Sequence, residues 1–429
     1  MQTPKVMFIS TFHWPTVARL PIALAKLGLH VATVAPAGSF VERIKRIRDR
    51  YIYRRWRSSG SILSAIGAWS PDLLVCSDDR ALRQLHRIYG QASRQRHVPK
   101  FCRIAELIEA SLGDPASFAT TRTMSAFVST AQAAQVRCPR TIVIANNEEY
   151  ESALGRIVYP VLLKADGSEG GRGVRFVGSE HDMMSAICEL LLPIYWPRTI
   201  KRLLSSKLLF RLFGRFCWPR RICIQEYIVG RAANRAVFCD HGTVLAGLSV
   251  EAVETAGEFG PASVVRPIDH PEMKAAAEIM ARQLRLSGLL GFDFIVGRYD
   301  RAWLLEMNPR ATPIAHLNVG HANLPAIVFH QLTGREPTSD GPVLREKTIA
   351  LFPQELMRTG CSEYIAAGYP DVPWDEPEFV RNCVTSALKH RRSERYKKLG
   401  AGRVVTTKRT QPAPFERSGH AHAVNRPEI

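Results

Sequence analysis

Short apolar runs alternate with helical stretches along the first quarter of the chain. Buried strands are predicted at Lys5–Ser10, His30–Val34 and Leu73–Cys76. Apolar residues at helical spacing predict a helix over Val17–Leu29, a basic stretch predicts another over Glu42–Arg57, and residues 101–119 are interpreted as a connector. Strands that alternate with helices are typical of a parallel sheet covered by helices. The pattern therefore predicts an α/β domain over residues 1–115.

Paired strands follow from residue 116 to about residue 335. Val161–Val177 reads VLLKADGSEGGRGVRFV, an apolar run, a glycine-rich loop and a second run that resumes the strand pattern. Gly291–Arg310 reads GFDFIVGRYDRAWLLEMNPR, which is two strands joined by a charged turn. Helices are predicted between these hairpins, so this part is expected to be α+β. Residues 336–389 are interpreted as an accessory segment and residues 390–429 as a basic disordered tail.

Composition limits the class of protein without naming it. A chain of 429 residues with 46% hydrophobic and 23% charged residues is ordinary for two or three globular domains. Its nine cysteines form no C-x-x-C pair, so neither a zinc knuckle nor a disulfide framework is indicated. The first residues lack a signal-peptide pattern, and no apolar run has membrane-spanning length. A cytoplasmic protein is expected.

The positive charge is clustered. The net charge is +19, and residues 193–221 carry no acid while cationic and apolar residues follow helical spacing, with tryptophans near both ends. Three interpretations remain for this cationic insertion: a segment packed on the domain, a helix at an anionic membrane surface, or a lid over a site. Peripheral membrane association is compatible with the second. The basic stretch Glu42–Arg57 is interpreted as a solvated face, with an anionic partner as the alternative. No nucleic-acid partner is expected, and an oligomer is compatible with the sequence.

The glycine-rich hairpin is a candidate phosphate site. Backbone N–H groups of a glycine loop can approach phosphate oxygens closely, and Lys164 would add a positive charge beside them. The loop is not a Walker A motif or a dinucleotide fingerprint, because a strand follows it and not a helix. The alternative is a plain turn between strands. The candidate phosphate-binding residues are Lys164, Gly167, Ser168, Gly170, Gly171 and Gly173.

Two carboxylates and an amide on the second hairpin are candidate metal ligands. Asp293 lies on the first strand, and Glu306, Asn308 and Arg310 alternate along the next, so that they share a face. Carboxylate and amide oxygens suit Mg²⁺ that bridges phosphates. The sequence therefore predicts a magnesium site formed by Asp293, Glu306 and Asn308.

These motifs, in this order, resemble the ATP-grasp superfamily over roughly residues 120–335, with a looser match of residues 1–110 to its preceding α/β domain. The resemblance implies a pre-ATP-grasp domain followed by a two-subdomain ATP-grasp fold, with the lid subdomain at about 120–228. It also implies ATP with Mg²⁺, or Mn²⁺ in its place, between the subdomains. The adenine hinge would be formed by Gln225, Glu226, Tyr227 and Ile228. Lys164 and Arg310 would be the catalytic cations.

The chain departs from the family pattern at two positions. Family members often have a lysine before the first helices of the lid, where this chain has Arg122 nearest, and Arg cannot reproduce the compact ammonium geometry. An acid that contacts the ribose often follows the glycine at the position of Gly230, but Asn234 and its neighbours are not acidic. Both departures concern contacts to the nucleotide.

The resemblance implies an ATP-dependent ligase. Such an enzyme activates a small-molecule carboxylate as an acylphosphate, which an amine or another nucleophile attacks, forming a C–N or C–S bond and releasing ADP and phosphate. The alternatives are an ATP-dependent carboxylase or kinase on the same fold, and a nucleotide-binding, membrane-associated regulator without turnover. Ser77–Asp79 is interpreted either as part of the acceptor site or as a helix N-cap. His316 is interpreted either as an acid/base or as a hydrogen-bonded structural residue.

Overall fold

The computed structural model describes residues 3–166, 173–191, 221–338 and 343–400. Within these ranges the strands are β1 (Lys5–Ile9), β2 (His30–Ala35), β3 (Asp49–Ile52), β4 (Leu73–Cys76), β5 (Thr141–Ile144), β6 (Val161–Ala165), β7 (Val174–Val177), β8 (Ile222–Glu226), β9 (Arg231–Asp240), β10 (Thr243–Thr255), β11 (Ala262–Ile268), β12 (Gly288–Val296), β13 (Ala302–Asn308) and β14 (Ile349–Ala350). The α-helices are α1 (Arg19–Lys26), α2 (Ser58–Trp69), α3 (Asp79–Ala92), α4 (Pro99–Leu112), α5 (Met124–Ala133), α6 (Asn147–Ala153), α7 (Glu180–Leu191), α8 (Pro271–Leu284), α9 (Leu324–Thr333), α10 (Gln354–Arg358), α11 (Glu363–Ala366) and α12 (Pro377–Gly400).

The N-terminal sheet is parallel, as the alternating pattern predicts. Its strand order is β3-β2-β1-β4, and each neighbouring pair runs parallel. Apolar residues of α2, α3 and α4 pack on one face, with Ile62, Leu85 and Ile108 buried. Because all four strands run in the same direction, the loops that follow them meet at one edge of the sheet.

Two expectations for this domain are wrong. Glu42–Arg57 is not a helix: Ile44 and Ile47 are fully buried in short turns, and β3 then pairs with β2. A strand forms here because residues 48–54 alternate between exposed and inward positions, which is the period of a strand. The arginines follow helical spacing, but no apolar residues line up with them to form a buried helix face. The predicted connector is also mostly helical, since α4 occupies Pro99–Leu112 and ends at Gly113.

Two antiparallel sheets follow, as expected for an α+β region. The first has strand order β5-β8-β6-β7, and one face packs on α6 and α7. The second has six strands in the order β13-β12-β9-β10-β11-β14. Its two faces belong to different cores, one against α5 and α8 and the other against the segment that contains α9 and Phe352. Both predicted hairpins are confirmed, β6–β7 and β12–β13.

The C-terminal part departs from the expected tail. Residues 1–388 form one compact unit, and the chain from Lys389 onward forms another. The backbone of residues 390–400 is helical, so the predicted disordered tail does not begin at residue 390. Residues 401–429 lie outside the described residues, and so does the cationic insertion except Arg221. Among the described helices, none combines the length and the hydropathy needed to cross a bilayer.

Candidate active site

The hairpin β12–β13 places the two predicted metal-binding carboxylates side by side. Asp293 and Glu306 are direct partners in the antiparallel register, and an irregularity in the pairing follows immediately between Asp293 and Phe294. Directly opposed residues on neighbouring strands point to the same face at close range. Two like charges therefore meet at one point of the sheet, an arrangement that destabilises the protein unless something compensates it.

Amide groups partly compensate the charge of Asp293. Its Oδ1 accepts a hydrogen bond from Asn234 Nδ2 at 2.5 Å, and its Oδ2 accepts one from Asn308 Nδ2 at 2.7 Å. Burial, and then the neighbouring charge of Glu306, raises the pKa of Asp293 to about 6. The two amides and Arg310 act in the opposite direction, and the net effect is still upward. The carboxylate is held in place, and its charge is not neutralised.

Arg310 connects this hairpin to the N-terminal sheet. Its guanidinium donates to Asn308 Oδ1 at 3.0 Å and to Asp79 Oδ1 at 3.3 Å. The next residue, Ala311, donates its N–H to the carbonyl of Cys76 at the end of β4. The edge of the parallel sheet where ligands are expected therefore adjoins the Asp293–Glu306 pair.

Of the residues Ser77–Asp79, Asp78 is the helix N-cap. Its Oδ1 accepts from the N–H of Ala81 at 2.8 Å, and its two oxygens also accept from the N–H and hydroxyl of Thr11. Asp79 is left to contact Arg310. Asp78 thus stabilises the loop and the start of the helix, whereas Asp79 lies at the candidate site.

Lys164 approaches from the other sheet. It lies on β6, is 7% exposed, and its Nζ is 4.0 Å from Oε2 of Glu306. Lys164 belongs to the β5-β8-β6-β7 sheet and Glu306 to the six-stranded sheet, so the contact bridges the two. A lysine and a carboxylate pair that face each other from two sheets can hold the charged and metal-bound parts of one phosphate chain.

The glycine loop after Lys164 is anchored at its base. Asp166 accepts hydrogen bonds from the N–H and the hydroxyl of Ser125, at the start of α5. Gly173 closes the other side, where its carbonyl accepts from the N–H of Ala165. Sequence reasoning missed the pair Asp166–Ser125, because residues 41 positions apart carry no local signal. The remaining predicted loop residues lie outside the described ones: Gly167, Ser168, Gly170 and Gly171.

The predicted adenine hinge is divided between the two faces of β8. Gln225 pairs with Leu162, so it shares a face with Lys164. Gln225 is fully buried, and its Nε2 reaches Thr141 Oγ1 at 3.3 Å, whereas its Oε1 has no hydrogen-bond partner. A buried amide oxygen without a partner is costly, and a donor from a bound molecule would remove that cost.

The other hinge residues take different positions. Glu226 alternates to the opposite face, and its carboxylate accepts from the N–H of Arg140. The ring of Tyr227 packs edge-on against Phe176, with 5.1 Å between the centroids. Ile228 lies against the turn of the other hairpin, within 3.5 Å of the position that a Cβ on Gly297 would take. Of the four predicted hinge residues, only Gln225 and Tyr227 are brought to the face of Lys164.

His316 and Arg122, which the sequence analysis also singled out, have the following surroundings. His316 is a structural residue: it is buried, and its Nε2 donates to Asp371 at 2.8 Å. Arg122 is exposed, and its charge helps burial to lower the pKa of His86, on α3 of the N-terminal domain. Asn234, which sequence reasoning missed as a site residue, holds Asp293 from β9. Its local signal is weak, because β9 also carries Arg231, Arg235 and Asp240, and only the pairing of β9 with β12 places Asn234 beside Asp293.

The donor set fits a hard divalent cation. Two carboxylates lie beside an amide. The raised pKa of Asp293 shows that its negative charge is unfavourable in this position, and a bound cation would compensate that charge. Asn308 turns its nitrogen to Asp293 and its oxygen to Arg310, so it would have to rotate its amide to act as a ligand. Across the described ranges no cluster of three or more His, Cys, Asp or Glu residues could hold a metal. The candidate site is therefore one of two carboxylates, completed by oxygens from outside the protein.

Comparisons with known proteins find one matching family and several solved structures of similar fold. A family described as "Carbamoyl-phosphate synthase L chain, ATP binding domain" matches residues 124–192. An ADP complex of N5-carboxyaminoimidazole ribonucleotide synthetase is similar at a TM-score of 0.53 and 14% identity, over 76% of this chain and 77% of that one. Biotin carboxylase from Campylobacter jejuni is similar at a TM-score of 0.52 and 16% identity, over 81% and 73%.

A third similar structure contains a metal–nucleotide complex. It is the biotin carboxylase domain of the 2-oxoglutarate carboxylase of Hydrogenobacter thermophilus with MgADP and bicarbonate, at a TM-score of 0.52 and 14% identity, over 81% and 72% of the two chains. A search of curated proteins finds no match. At these identities the likeness concerns the fold. The paired hairpins and the preceding parallel sheet therefore give the chain the fold of these solved structures, and residues 124–192 match the ATP-binding family model.

Proposed function

We propose that the protein is an ATP-dependent ligase that activates a carboxylate as an acylphosphate. The observation that carries the proposal is the approach of Lys164, from one sheet, to the Asp293–Glu306 pair of the other. A cation and two carboxylates on facing sheets suit a nucleotide triphosphate with its metal ion. Positioning and electrostatic stabilisation supply most of the catalysis in phosphoryl transfer.

Each residue has a distinct role in this proposal. Lys164 holds the phosphates and balances their charge, while Gln225 offers its free Oε1 to the nucleotide. Asp293 and Glu306, with Asn308 after rotation of its amide, would hold Mg²⁺, which neutralises charge on the phosphate oxygens when bound. Arg310 lies between Asn308 and Asp79, where its guanidinium can orient the acceptor carboxylate and stabilise the transferring phosphoryl group.

The reaction follows from this arrangement. The acceptor carboxylate attacks the γ-phosphorus, the bond to the β-γ bridging oxygen breaks, and ADP leaves. An amine then attacks the acylphosphate carbon, a C–N bond forms and phosphate leaves with the carboxylate oxygen. A thiol would give a C–S bond by the same steps. Bicarbonate is the second candidate for the acid, because one structure of similar fold contains bicarbonate with MgADP.

An isotope experiment tests the proposal. Pooled carboxylic acids labelled with ¹⁸O are incubated with ATP, Mg²⁺ and pooled amines, and the released phosphate and new products are analysed by mass spectrometry. The proposal predicts one ¹⁸O atom in phosphate and an amide that accumulates with ADP. Lys164→Ala should lose both signals, and the exposed Lys100→Ala should keep them. Unlabelled phosphate formed from ATP without an amide would contradict the proposal.

A further inference from the structure

The edge strand of the N-terminal sheet exposes a cationic stripe. β3 is the outermost strand, paired on one side with β2. Alternate residues from position 48 to position 54 are exposed: Arg48, Arg50, Ile52 and Arg54. A stripe of this kind is the face that a strand turns away from the core.

A short turn extends the stripe beyond the strand. Arg55–Arg57 forms a single 3-10 turn, and all three residues are exposed. Trp56 is 79% exposed, and Ile52 on the strand is 54% exposed. We call these seven residues the basic edge: Arg48, Arg50, Ile52, Arg54, Arg55, Trp56 and Arg57.

The charge of the basic edge is not compensated within the described part of the chain. None of its arginines forms an ion pair with a described carboxylate, and Arg50 instead donates to the carbonyl of Ile44. Asp49, the one acid among residues 48–57, alternates to the other face and pairs with His30 at 2.8 Å. Other basic residues nearby are neutralised: Arg46 pairs with Asp375 and Glu376.

Protection of a sheet edge explains only part of this surface. Charged residues on an edge strand prevent unwanted pairing with another sheet, and the arginines would serve that purpose. An exposed isoleucine and an exposed tryptophan work against it, because apolar side chains promote association. The combination of cations with isolated apolar side chains requires a partner that is anionic and also accepts apolar groups.

We propose that the basic edge is a docking surface for an anionic lipid bilayer. Guanidinium groups bind lipid phosphates bidentately, and each basic residue near an anionic surface adds attraction. Trp56 suits the headgroup region, where amphipathic rings accumulate, and Ile52 suits the acyl boundary below it. A nucleic acid would use the arginines and could stack on Trp56, but it offers no apolar environment for Ile52.

Docking here would orient the enzyme. The turn Arg55–Arg57 follows the carboxyl end of β3, and in a parallel sheet this is the edge that also carries the ends of β1 and β4. Asp79, which contacts Arg310, begins the helix after β4. The turn of the basic edge and Asp79 therefore lie at the same end of the strands, beside the two outer strands β3 and β4. In the sequence, the basic edge is separate from the cationic insertion.

Vesicle co-sedimentation of the full chain tests the proposal. The vesicles are phosphatidylcholine alone or with about 30% phosphatidylglycerol, in low and high salt. The variants are R54Q/R55Q/R57Q and W56A, and the matched control R87Q/R94Q/K100Q removes the same charge from exposed residues of the same domain. Every variant keeps the cationic insertion, so a difference in vesicle binding between the basic-edge variants and the control measures the contribution of the basic edge. Thermal unfolding checks that each variant folds.

The expected result is binding to the anionic vesicles that salt weakens, with little binding to neutral ones. The triple variant should bind about 100-fold more weakly, at about fivefold for each arginine, and W56A roughly tenfold more weakly through lost apolar burial. The vesicle affinity of the control variant should stay within about twofold to threefold of that of the unchanged protein, because exposed charge far from the interface is screened. Absence of vesicle binding, equal losses in the triple variant and the control, or tighter binding to single-stranded RNA than to vesicles at the same salt would each overturn the proposal.

Discussion

Asp371 is a buried aspartate and Asp293 a partly buried one, and the chain surrounds them in opposite ways. Asp371 is 2% exposed, and Arg19 and His316 Nε2 contact its Oδ1 at 2.6 and 2.8 Å. Its Oδ2 accepts from the N–H of Phe352. Burial alone would raise the pKa of Asp371, but the charge of Arg19 and the contacts with His316 lower it to about 2.

Asp293 has no comparable partner. Neutral amides bind both of its oxygens, and burial, followed by the charge of Glu306, raises its pKa to about 6. A buried charge that the chain neutralises serves the fold, as Asp371 does by joining α1, the loop after Arg310 and the C-terminal segment. A carboxylate that only neutral amides bind, beside a second carboxylate, carries an electrostatic cost that a bound cation would remove.

The largest expected effect is on catalysis. Glu306→Gln should reduce ATP turnover at least about 1000-fold, because a neutral amide leaves a single carboxylate to bind the metal. Steady-state ADP release measures this effect, and Glu378→Gln, an exposed position, is the matched control. Turnover within tenfold of the unchanged enzyme would show that Glu306 does not bind the metal.

The next effect is on stability. Asp371→Asn should lower the free energy of unfolding by about 3 kcal/mol, because it leaves the charge of Arg19 buried without a partner. Asp375→Asn is the control in the same segment: its ion pairs with Lys26 and Arg46 are about one-third exposed and should contribute about 1 kcal/mol or less. Denaturant unfolding measures the free energy of unfolding of both variants. Equal decreases would show that the buried ion pair of Asp371 stabilises the fold no more than the exposed ion pairs of Asp375.

A smaller effect concerns metal binding and pH. A protonated carboxyl group does not bind a cation, so Mg²⁺-dependent nucleotide affinity should fall about tenfold between pH 7 and pH 5 as Asp293 is protonated. Isothermal titration with MgADP in both buffers measures the ratio. An affinity that is constant over this range would place the metal elsewhere.

The smallest effect is a gain in stability. A raised carboxyl pKa means that the folded state binds the proton more tightly, so the free energy of unfolding should fall as pH rises from about 4 to about 6 and stay lower above that. Asp293→Asn removes this charge and should stabilise the metal-free protein at pH 8 by about 1 kcal/mol, whereas no change is expected at pH 4. Thermal unfolding at the two pH values provides the measurement. Destabilisation at pH 8 would mean that Asp293 is a structural residue like Asp371.

The sequence predicted the two hairpins correctly because their signals are local. Alternation along β13 placed Glu306 and Asn308 on one face, and a glycine-rich stretch between apolar runs predicted β6 and β7 with Lys164 on the incoming strand. The family resemblance implied that Lys164 and Glu306 lie around one nucleotide, but their direct contact was not predicted, since nothing local relates residues of two sheets.

What the sequence could not supply is pairing at long range. Asn234 holds Asp293 only because β9 lies beside β12, and Asp79 reaches Arg310 only because β4 ends next to Ala311. The arginines of 43–57 misled the prediction, because spacing of charged residues does not define a helix when buried isoleucines and a neighbouring strand compete for the backbone. The same residues produced the exposed basic edge, which a helical interpretation conceals.

Calorimetric titration of ADP, with and without Mg²⁺, into the unchanged protein and into Glu306→Gln tests whether the two carboxylates bind the cation. Mg²⁺ is expected to strengthen ADP binding to the unchanged protein by about tenfold or more, and Glu306→Gln is expected to bind ADP without this enhancement. An equal enhancement by Mg²⁺ in both proteins would contradict the assignment of Asp293 and Glu306 as the cation site.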